Sequence, residues 1–518
     1  MTPRRLTGIA LVCAATACAP KKVVSPDPAI AAQASLGRAD ALVRVGCFDC
    51  LAEALNQYQS LLAIPAARAG ATAGAIRASA LLAVRERELG TTDSGYLEKA
   101  RDLAAVAAGT GVVHEDVTPL LDIVALLPWR AGAGRSGAPD QPLSIYQDRD
   151  RRVAMLRPLA SRDELSAYVW LAYACETSFG RTEKSELIAP IDERSSSPLS
   201  SLPLLAFKLA ICRGVDSTSV ETLFEREPRF AELSFFRGLN ASGLRKLDDA
   251  DARYREAYRW RATWPAATFA IGNLAMTSEE FASALEFYNT TLELAPSYPD
   301  ALLGKLRALT YLARHEDALG VAGELLALSR YPGDAYYWRA FNELQLGRLD
   351  AAWDDVESSD KVMVNSDVPK LAGIIELRRR DLEVARQKLQ LSRQRNPSDC
   401  ESGYYLHLVL ADLVRWPDVV EAAVATAGCL DVAEAFARSE IERIAASPEP
   451  EGRKARQIAR REQQIVLAAR MRATCFFNAA VAYFNLAKPA EARRYAEKLA
   501  GDEQFCKRAR ELMGRIAP

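Results

Sequence analysis

One small residue recurs at a fixed period through the middle of the chain, and this period constrains the fold more than any other feature. The residues Ala250, Ala284, Ala318, Ala352 and Ala385 are separated by 34, 34, 34 and 33 positions. Twelve residues before each alanine lies a second, mostly small position, occupied by Gly238, Gly272, Leu306, Ala340 and Gly373. Twelve residues after it, two of the five copies carry proline, at Pro296 and Pro397. Small residues let two antiparallel helices approach closely, and proline ends the second helix. The period therefore predicts a repeated helix–turn–helix unit.

At these positions the chain resembles the tetratricopeptide repeat (TPR) family. The clearest copy, Phe269–Pro296, carries the following residues at the offsets of the family signature: Gly272, Phe281, Ala284, Tyr288, Leu292 and Pro296. The resemblance implies an all-α, right-handed superhelical solenoid. It also implies a groove, lined by the first helix of each repeat, that holds an extended peptide or a helix of a partner protein.

Composition and motifs give no indication of chemistry. A chain of 518 residues is too long to fold around one compact core, unless stacked repeats share a continuous core. The net charge of −1 implies no general attraction to nucleic acid. The three histidines are far apart, and no Ser/His/Asp elbow, P-loop, zinc-protease helix or acidic calcium loop occurs. We therefore expect no enzymatic activity, no cofactor and no metal.

Residues 1–18 read as a targeting segment, with Arg4 and Arg5 before a short apolar run. The closing residues Ala15-Thr16-Ala17-Cys18 resemble the bacterial lipoprotein signal, which implies that Cys18 is acylated and becomes the new N-terminus. Two or more acyl chains anchor a protein stably. Because Ala19 rather than Asp follows, we expect an outer-membrane lipoprotein that faces the periplasm. An ordinary cleaved secretory signal is the alternative.

The remaining chain divides by composition and repeat quality. Residues 19–34 are expected to form a flexible tether, 35–128 degenerate TPR-like helices, 129–142 a loop or seam, and 143–234 a helical linker region. The core of five repeats spans 235–399, and 400–518 is expected to add C-terminal helical repeats with a capping helix. After the signal we expect no membrane-spanning helix.

Eight cysteines remain in the predicted exported chain, which suggests disulfides. Helix geometry favours the pairs Cys400–Cys429, Cys475–Cys506 and Cys175–Cys212. Cys47 and Cys50 have CxxC spacing, for which a local structural disulfide is favoured over a redox or zinc site, because no strand–helix–strand pattern and no second ligand pair accompany them.

One basic run is the most one-signed segment of the chain, and we interpret it as a solvated helix face, with an anionic partner as the alternative. It comprises Arg453, Lys454, Arg456, Arg460, Arg461, Arg470 and Arg472.

The favoured function is a non-enzymatic scaffold that binds an envelope protein in the inner groove of residues 235–399. Repeat register, in which positions 237, 271, 305 and 339 share one phase, nominates Arg237, Asn273, Lys305 and Arg339 as groove residues. Two alternatives stand beside it. A solute- or glycan-binding lipoprotein would need long inserted segments with aromatic platforms, and an enzyme built around a helical ring would need a separate catalytic domain.

Overall fold

The computed structural model describes residues 28–89, 93–110, 117–127, 150–151, 153–154, 158, 164–176, 231–447 and 451–516. In these ranges it contains 21 numbered α-helices and no strand. The first six are α1 (Pro28–Val45), α2 (Phe48–Leu61), α3 (Arg68–Leu89), α4 (Tyr96–Thr110), α5 (Thr118–Leu126) and α6 (Glu164–Glu176). The repeat helices are α7 (Ala231–Gly243), α8 (Leu247–Trp260), α9 (Pro265–Thr277), α10 (Phe281–Leu294), α11 (Pro299–Tyr311), α12 (His315–Ala327), α13 (Pro332–Gln345), α14 (Leu349–Asp360), α15 (Asp367–Arg379) and α16 (Leu382–Arg395). The last five are α17 (Cys400–Asp412), α18 (Trp416–Ala445), α19 (Glu451–Asn485), α20 (Pro489–Glu497) and α21 (Cys506–Arg515).

From α7 onward the helices form an all-α solenoid, as the repeat period predicted. Each helix packs against the next one in the chain. The first helices of successive pairs, α9, α11, α13, α15, α17 and α19, also pack against one another and so form a continuous inner layer. The five phased alanines are fully buried between the helices of their pairs.

The turn inside each pair has the same backbone conformation. The residues with a positive φ at this turn are Arg245, Glu279, Ala313, Gly347, Arg380, Val414 and Ala487. In the first two turns the next N–H reaches back to a carbonyl of the first helix, from Lys246 to Ala241 and from Glu280 to Ala275, both at 2.8 Å. This is the hydrogen bond of a helix C-cap with a left-handed residue, and it sets the angle at which each pair turns.

The close helix approach expected at the small positions is set by tyrosine rings. Tyr288 of α10 lies between Gly272 of α9 and Gly304 of α11. A Cβ added at Gly272 would lie 2.8 Å from Cε1 of this ring, and one added at Gly304 would lie 2.5 Å from Cζ. Tyr254 fills the same place against Gly238. Any side chain at these glycines would have to displace a buried ring, because such distances are below van der Waals contact.

A buried charged network joins the N-terminal helices to the repeats. Arg85 of α3 forms ion pairs with Glu88 (2.7 Å) and with Glu232 of α7 (3.0 Å), and all three side chains are at most 7% exposed. The hydroxyl of Tyr168 in α6 donates to Glu88 at 2.5 Å. Burial lowers the pKa of Arg85, but the charges of Tyr168, Glu232 and Glu88 outweigh it and leave this pKa raised. Removing one partner of such a network would leave a buried charge unpaired.

The last described helices depart from the repeat pattern. The sequence predicts helical repeats in residues 400–518, but α18 continues to Ala445 and has 30 residues, and α19 is a single helix of 35 residues. At about 1.5 Å per residue these helices are roughly 45 and 52 Å long, and they form an antiparallel hairpin that exceeds the repeat helices more than twofold. Nothing in the sequence from Gly428 to Ala445 breaks a helix, since neither proline nor a glycine–asparagine turn occurs there.

Helix α19 is also long and apolar enough to cross a membrane by length and composition alone. An 18-residue window in it has a mean hydropathy of 1.4, and 33% of that window is buried inside the protein. Its C-terminal half supplies Cys475, Ala479 and Ala480 to the cores that it shares with α18, α20 and α21. This half of α19 therefore packs against three other helices of the same chain.

One boundary from the sequence can be compared with the structure. Helix α1 begins at Pro28, inside the segment predicted to be a tether, because proline is well accommodated in the first turn of a helix. The predicted lipidation site Cys18 and the loop at 129–142 lie outside the described residues.

The cysteine predictions have mixed outcomes. The disulfides Cys47–Cys50 and Cys400–Cys429 are present as predicted. Cys175 is disulfide-bonded, and its predicted partner, Cys212, lies outside the described residues.

The predicted pair Cys475–Cys506 is wrong, because both thiols are free. Cys475 lies inside the long helix α19, with its Sγ 4.0 Å from Nδ1 of His407, whereas Cys506 begins α21. A separation close to one repeat length therefore does not bring these two side chains together.

We expect two glycine-to-alanine substitutions to show how the packing of Tyr288 against Gly304 affects stability. Gly304→Ala should lower the free energy of unfolding by about 1–3 kcal/mol, since the added methyl overpacks the Tyr288 site. Gly320→Ala, at an exposed position of α12 where no neighbour lies within 4 Å, should raise it by about 0.5–1 kcal/mol. Urea titrations followed by circular dichroism would measure both. Equal effects would show that the ring is not a constraint.

Candidate functional site

A cleft lies on the inner layer, between α9 and α11. Its volume is about 420 Å³. Helix α9 contributes Phe269 and Asn273, which are one helical turn apart, and α11 contributes Leu303 and Arg307, which have the same spacing. Residues four apart share one face of a helix. The cleft is therefore formed where the inner faces of two successive repeats diverge.

Aromatic rings form one wall of this cleft. The rings of Phe281 and Tyr311 are stacked, with centroids 4.7 Å apart and planes inclined by 14°. Tyr311 also meets the edge of Trp338 from the next repeat at 6.1 Å. Tyr311 is 43% exposed, so its ring is accessible from the cleft. The wall offers a flat apolar surface to a bound chain.

The polar groups of the cleft contact aromatic side chains of the repeats. The hydroxyl of Tyr288 donates to Oδ1 of Asn273 at 2.7 Å, which leaves the amide N–H groups of Asn273 as its remaining donors. On the other wall, Oδ1 of Asp300 accepts from the hydroxyl of Tyr331 at 2.5 Å. The guanidinium of Arg307 lies 5.7 Å from the ring centroid of Trp338. Donors from both walls thus reach one cleft, as recognition of a peptide backbone or carboxylate requires.

Helix α19 closes one side of the cleft. Arg460 lines it directly and lies 5.9 Å from the ring centroids of both Phe281 and Tyr311. The Nε of Arg460 pairs with Glu279 at 3.2 Å. The contact crosses about 180 residues of sequence, because the hairpin of α18 and α19 returns to the first repeats.

Two further ion pairs continue this contact along the same face of α19. Arg456 pairs with Glu280 in the same turn as Glu279, and Arg453 pairs with Asp248 in the first turn of α8 at 2.6 Å. Positions 453, 456 and 460 follow the three- and four-residue spacing of one helix face.

This arrangement changes the interpretation of the basic run. We expected a mostly solvated face, but Arg453, Arg456 and Arg460 pair with carboxylates of the repeats. Farther along, Arg472 pairs with Asp431 and Glu434 of α18, both at 2.7 Å. The anionic partner of these arginines belongs to the same chain.

The four residues nominated by repeat register do not come together. Asn273 lines the cleft, whereas Arg237, Lys305 and Arg339 are absent from its lining. Arg339 instead forms a two-pronged ion pair with Asp355 of α14, the second helix of its own repeat. Their partner-binding role stays a prediction.

Helical geometry explains this difference. Asn273 and Arg307 follow the small position of their repeats by one residue, whereas Arg237, Lys305 and Arg339 precede it by one. Two residues correspond to about 200° of rotation around an α-helix, so the two sets face different sides. The sequence does contain a signal for the positions that face the cleft, since Asn273 and Arg307 are 34 residues apart, which is one repeat length.

The buried thiol of Cys475 and the imidazole of His407 lie close together but do not form a reactive pair. Burial raises the pKa of the Cys475 thiol to about 12 and lowers the pKa of His407 to about 4. Both groups are therefore neutral at pH 7, unlike the thiolate–imidazolium pair of a reactive cysteine. In the ranges that the structure describes, no group of three or more His, Cys, Asp or Glu side chains is placed to hold a metal.

Comparison with known proteins gives structural neighbours but no relative by sequence. No protein-family model and no curated protein match the chain. A tetratricopeptide repeat protein from Parabacteroides merdae is 15% identical with a TM-score of 0.33, covering 55% of this chain and 97% of its own. PilF of Pseudomonas aeruginosa is 18% identical with a TM-score of 0.34, covering 39% and 90%. A thermophilic TPR protein of Thermus thermophilus is 17% identical with a TM-score of 0.30, covering 35% and 99%.

We expect removal of the docking arginines to open the hairpin locally. In the triple variant Arg453→Ala, Arg456→Ala, Arg460→Ala, amide hydrogen exchange in residues 451–461 should accelerate while exchange in residues 473–485 stays slow. Surface ion pairs each contribute only about 0–1 kcal/mol, so the global unfolding midpoint should move little. The matched control is Arg493→Ala, Arg494→Ala on exposed positions of α20. Unchanged exchange in 451–461 would contradict the docking role of these pairs.

Proposed function

We propose that this protein is a non-enzymatic scaffold of the bacterial cell envelope, and that it holds an extended segment of a partner protein in the cleft between α9 and α11. The proposal rests on one observation. A single cleft of the helical solenoid contains both an aromatic wall and side chains with hydrogen-bond donors available to a ligand. The stacked pair Phe281–Tyr311 supplies apolar contact area, and Asn273 and Arg307 supply hydrogen-bond donors.

The shape of the cleft favours a chain over a compact small molecule. It is bordered by consecutive first helices whose inner layer continues to either side, so a bound segment can extend along the solenoid. Its polar groups are spread over Asn273, Asp300 and Arg307 on two helices, which suits a repeating backbone of alternating donors and acceptors. Arg460 would contact that segment from the opposite side.

The envelope location rests on the N-terminal sequence. The resemblance of residues 1–18 to a lipoprotein signal and the disulfides Cys47–Cys50 and Cys400–Cys429 both agree with export to an oxidising compartment. We propose that acylated Cys18 anchors the scaffold to the outer membrane, where it serves an assembly, secretion, motility or cell-wall machine.

Partner binding is tested by capture from detergent-solubilised envelope with the tagged full-length protein. The double variant Asn273→Ala, Arg307→Ala should recover at least about ten-fold less partner, because each lost hydrogen bond to a charged or buried group contributes about 1–3 kcal/mol. Arg314→Ala, an exposed residue paired with Asp317 outside the cleft, is the control.

A second variant separates the two possible registers. Arg237→Ala, Lys305→Ala, Arg339→Ala should leave recovery unchanged if the cleft described above is the binding site. Loss of binding in this triple variant alone would move the site to the register nominated from the sequence. Recovery of the bait alone, with a glycan or another small solute bound, would replace the scaffold by a solute-binding function.

Lipid attachment is tested separately with Cys18→Ser. Cells that express the wild-type protein should incorporate labelled fatty acid into it and retain it in the outer-membrane fraction, because two or more acyl chains give stable anchoring. The variant should carry no label and leave that fraction. A wild-type protein without label would indicate an ordinary secretory signal and overturn the anchor.

A further inference from the structure

A second pocket, of about 230 Å³, lies where the tip of the α18–α19 hairpin meets the turns of the first two repeats. The α7–α8 turn contributes Arg245, the end of α18 contributes Arg443, and α19 contributes Arg461. The pocket is separate from the cleft between α9 and α11, which it approaches only at the turn residues Thr277 and Glu279.

The lining of this pocket carries an excess of positive charge. Three guanidinium groups line it together with one carboxylate, Glu279, which already pairs with Arg460 at 3.2 Å. Outside the lining, Glu440 pairs with Arg443 at 2.7 Å. Arg443 lowers the pKa of Glu440 chiefly through this hydrogen bond, and the charges of Arg461 and Arg245 lower it further. All three arginines are therefore close enough to interact with the same carboxylate.

The guanidinium of Arg461 has unused hydrogen-bonding capacity. Its Nη1 donates to Gln464 at 2.9 Å, and its Nε is buried without a hydrogen-bond partner. The lining hydroxyls of Ser447 and Thr277 donate to the carbonyls of Ile444 and Asn273, and neither accepts from Nε of Arg461. A buried donor of this kind costs free energy unless a ligand or water accepts from it.

We propose that this pocket binds a phosphate group, as inorganic phosphate or a small phosphate monoester. Guanidinium groups match phosphate oxygens with paired, charge-assisted hydrogen bonds. A phosphate group carries a charge of about −1.5 to −2 at pH 7, and its oxygens point in tetrahedral directions. It can therefore accept from arginines that approach from three separate segments, whereas the acceptor sites of a carboxylate lie in one plane. The bound anion joins Arg245 of the first repeat to Arg443 and Arg461 of the hairpin, and so holds the hairpin in place.

Binding is measured by calorimetry on the detergent-solubilised full-length protein, with inorganic phosphate as the titrant and sodium chloride at matched ionic strength as the blank. We expect saturable binding at one site. The double variant Arg245→Gln, Arg461→Gln should weaken it at least ten-fold. Arg380→Gln is the matched control, because Arg380 occupies the same positive-φ turn position as Arg245 but pairs with Asp412, away from the pocket.

The outcomes separate the proposal from non-specific effects. Binding that is equal in the double variant and the control, or no stronger than the chloride blank, overturns it. The single variant Arg245→Gln, at an exposed turn, keeps the test open if the double variant does not fold. Glycerol 3-phosphate and vesicles containing phosphatidylglycerol then distinguish the source, since competition by the first identifies a free phosphate ester and co-sedimentation with the second identifies a lipid headgroup.

Discussion

The close contact between Tyr288 and two glycines is the constraint from which the rest of the repeat structure follows. Because the ring occupies the space that side chains at Gly272 and Gly304 would need, it fixes the spacing of α9, α10 and α11 together. The hydroxyl of the same ring then holds the carbonyl of Asn273. Burial raises the pKa of Tyr288, so this hydroxyl stays protonated and remains a donor. One side chain therefore determines both the helix packing and the orientation of a polar group in the cleft.

Local periodicity made much of this fold predictable. The phased alanines and glycines located the helix pairs, because the same packing contact recurs at every repeat. The disulfide Cys400–Cys429 followed from the antiparallel order of α17 and α18. The side of the helix that faces the cleft did not follow, since it depends on a rotation of about 200° between positions two residues apart. Asn273 was identified, whereas Arg307 and Tyr311 were not.

Contacts between distant segments were beyond the reach of sequence patterns. Arg456 and Glu280 are separated by 176 residues, and neither residue lies in a motif that would indicate a partner. The length of α18 and α19 was also difficult to predict, because the only sequence signal of a long helix is that helix-breaking residues are absent. The buried pair of Arg85 and Glu232 likewise joins segments that are far apart in the sequence. Such pairs depend on how the whole chain curves.

Helix α19 combines two kinds of stability along its length. Its C-terminal half is held by apolar packing around Ala480, whereas its N-terminal half is held by solvent-accessible ion pairs such as Arg456–Glu280. Apolar burial is insensitive to salt, but exposed ion pairs are screened within about 8–10 Å at physiological ionic strength. The two halves therefore differ in local stability, which is the condition for one part of a helix to open while the other stays folded.

At the left-handed turns of the solenoid, a relaxed backbone and a distinctive side chain exclude each other. Six of the seven equivalent turn positions are occupied by residues other than glycine, although glycine adopts a positive φ without steric cost. Arg245 and Glu279 occupy two of these positions, and their side chains are the ones that face the hairpin. Glycine at every one of these turns would relieve the backbone strain, but it would also remove the side chains by which one turn differs from the next. The side chains at these turn positions differ from one repeat to the next, and Glu279 is one of the residues on which the hairpin docks.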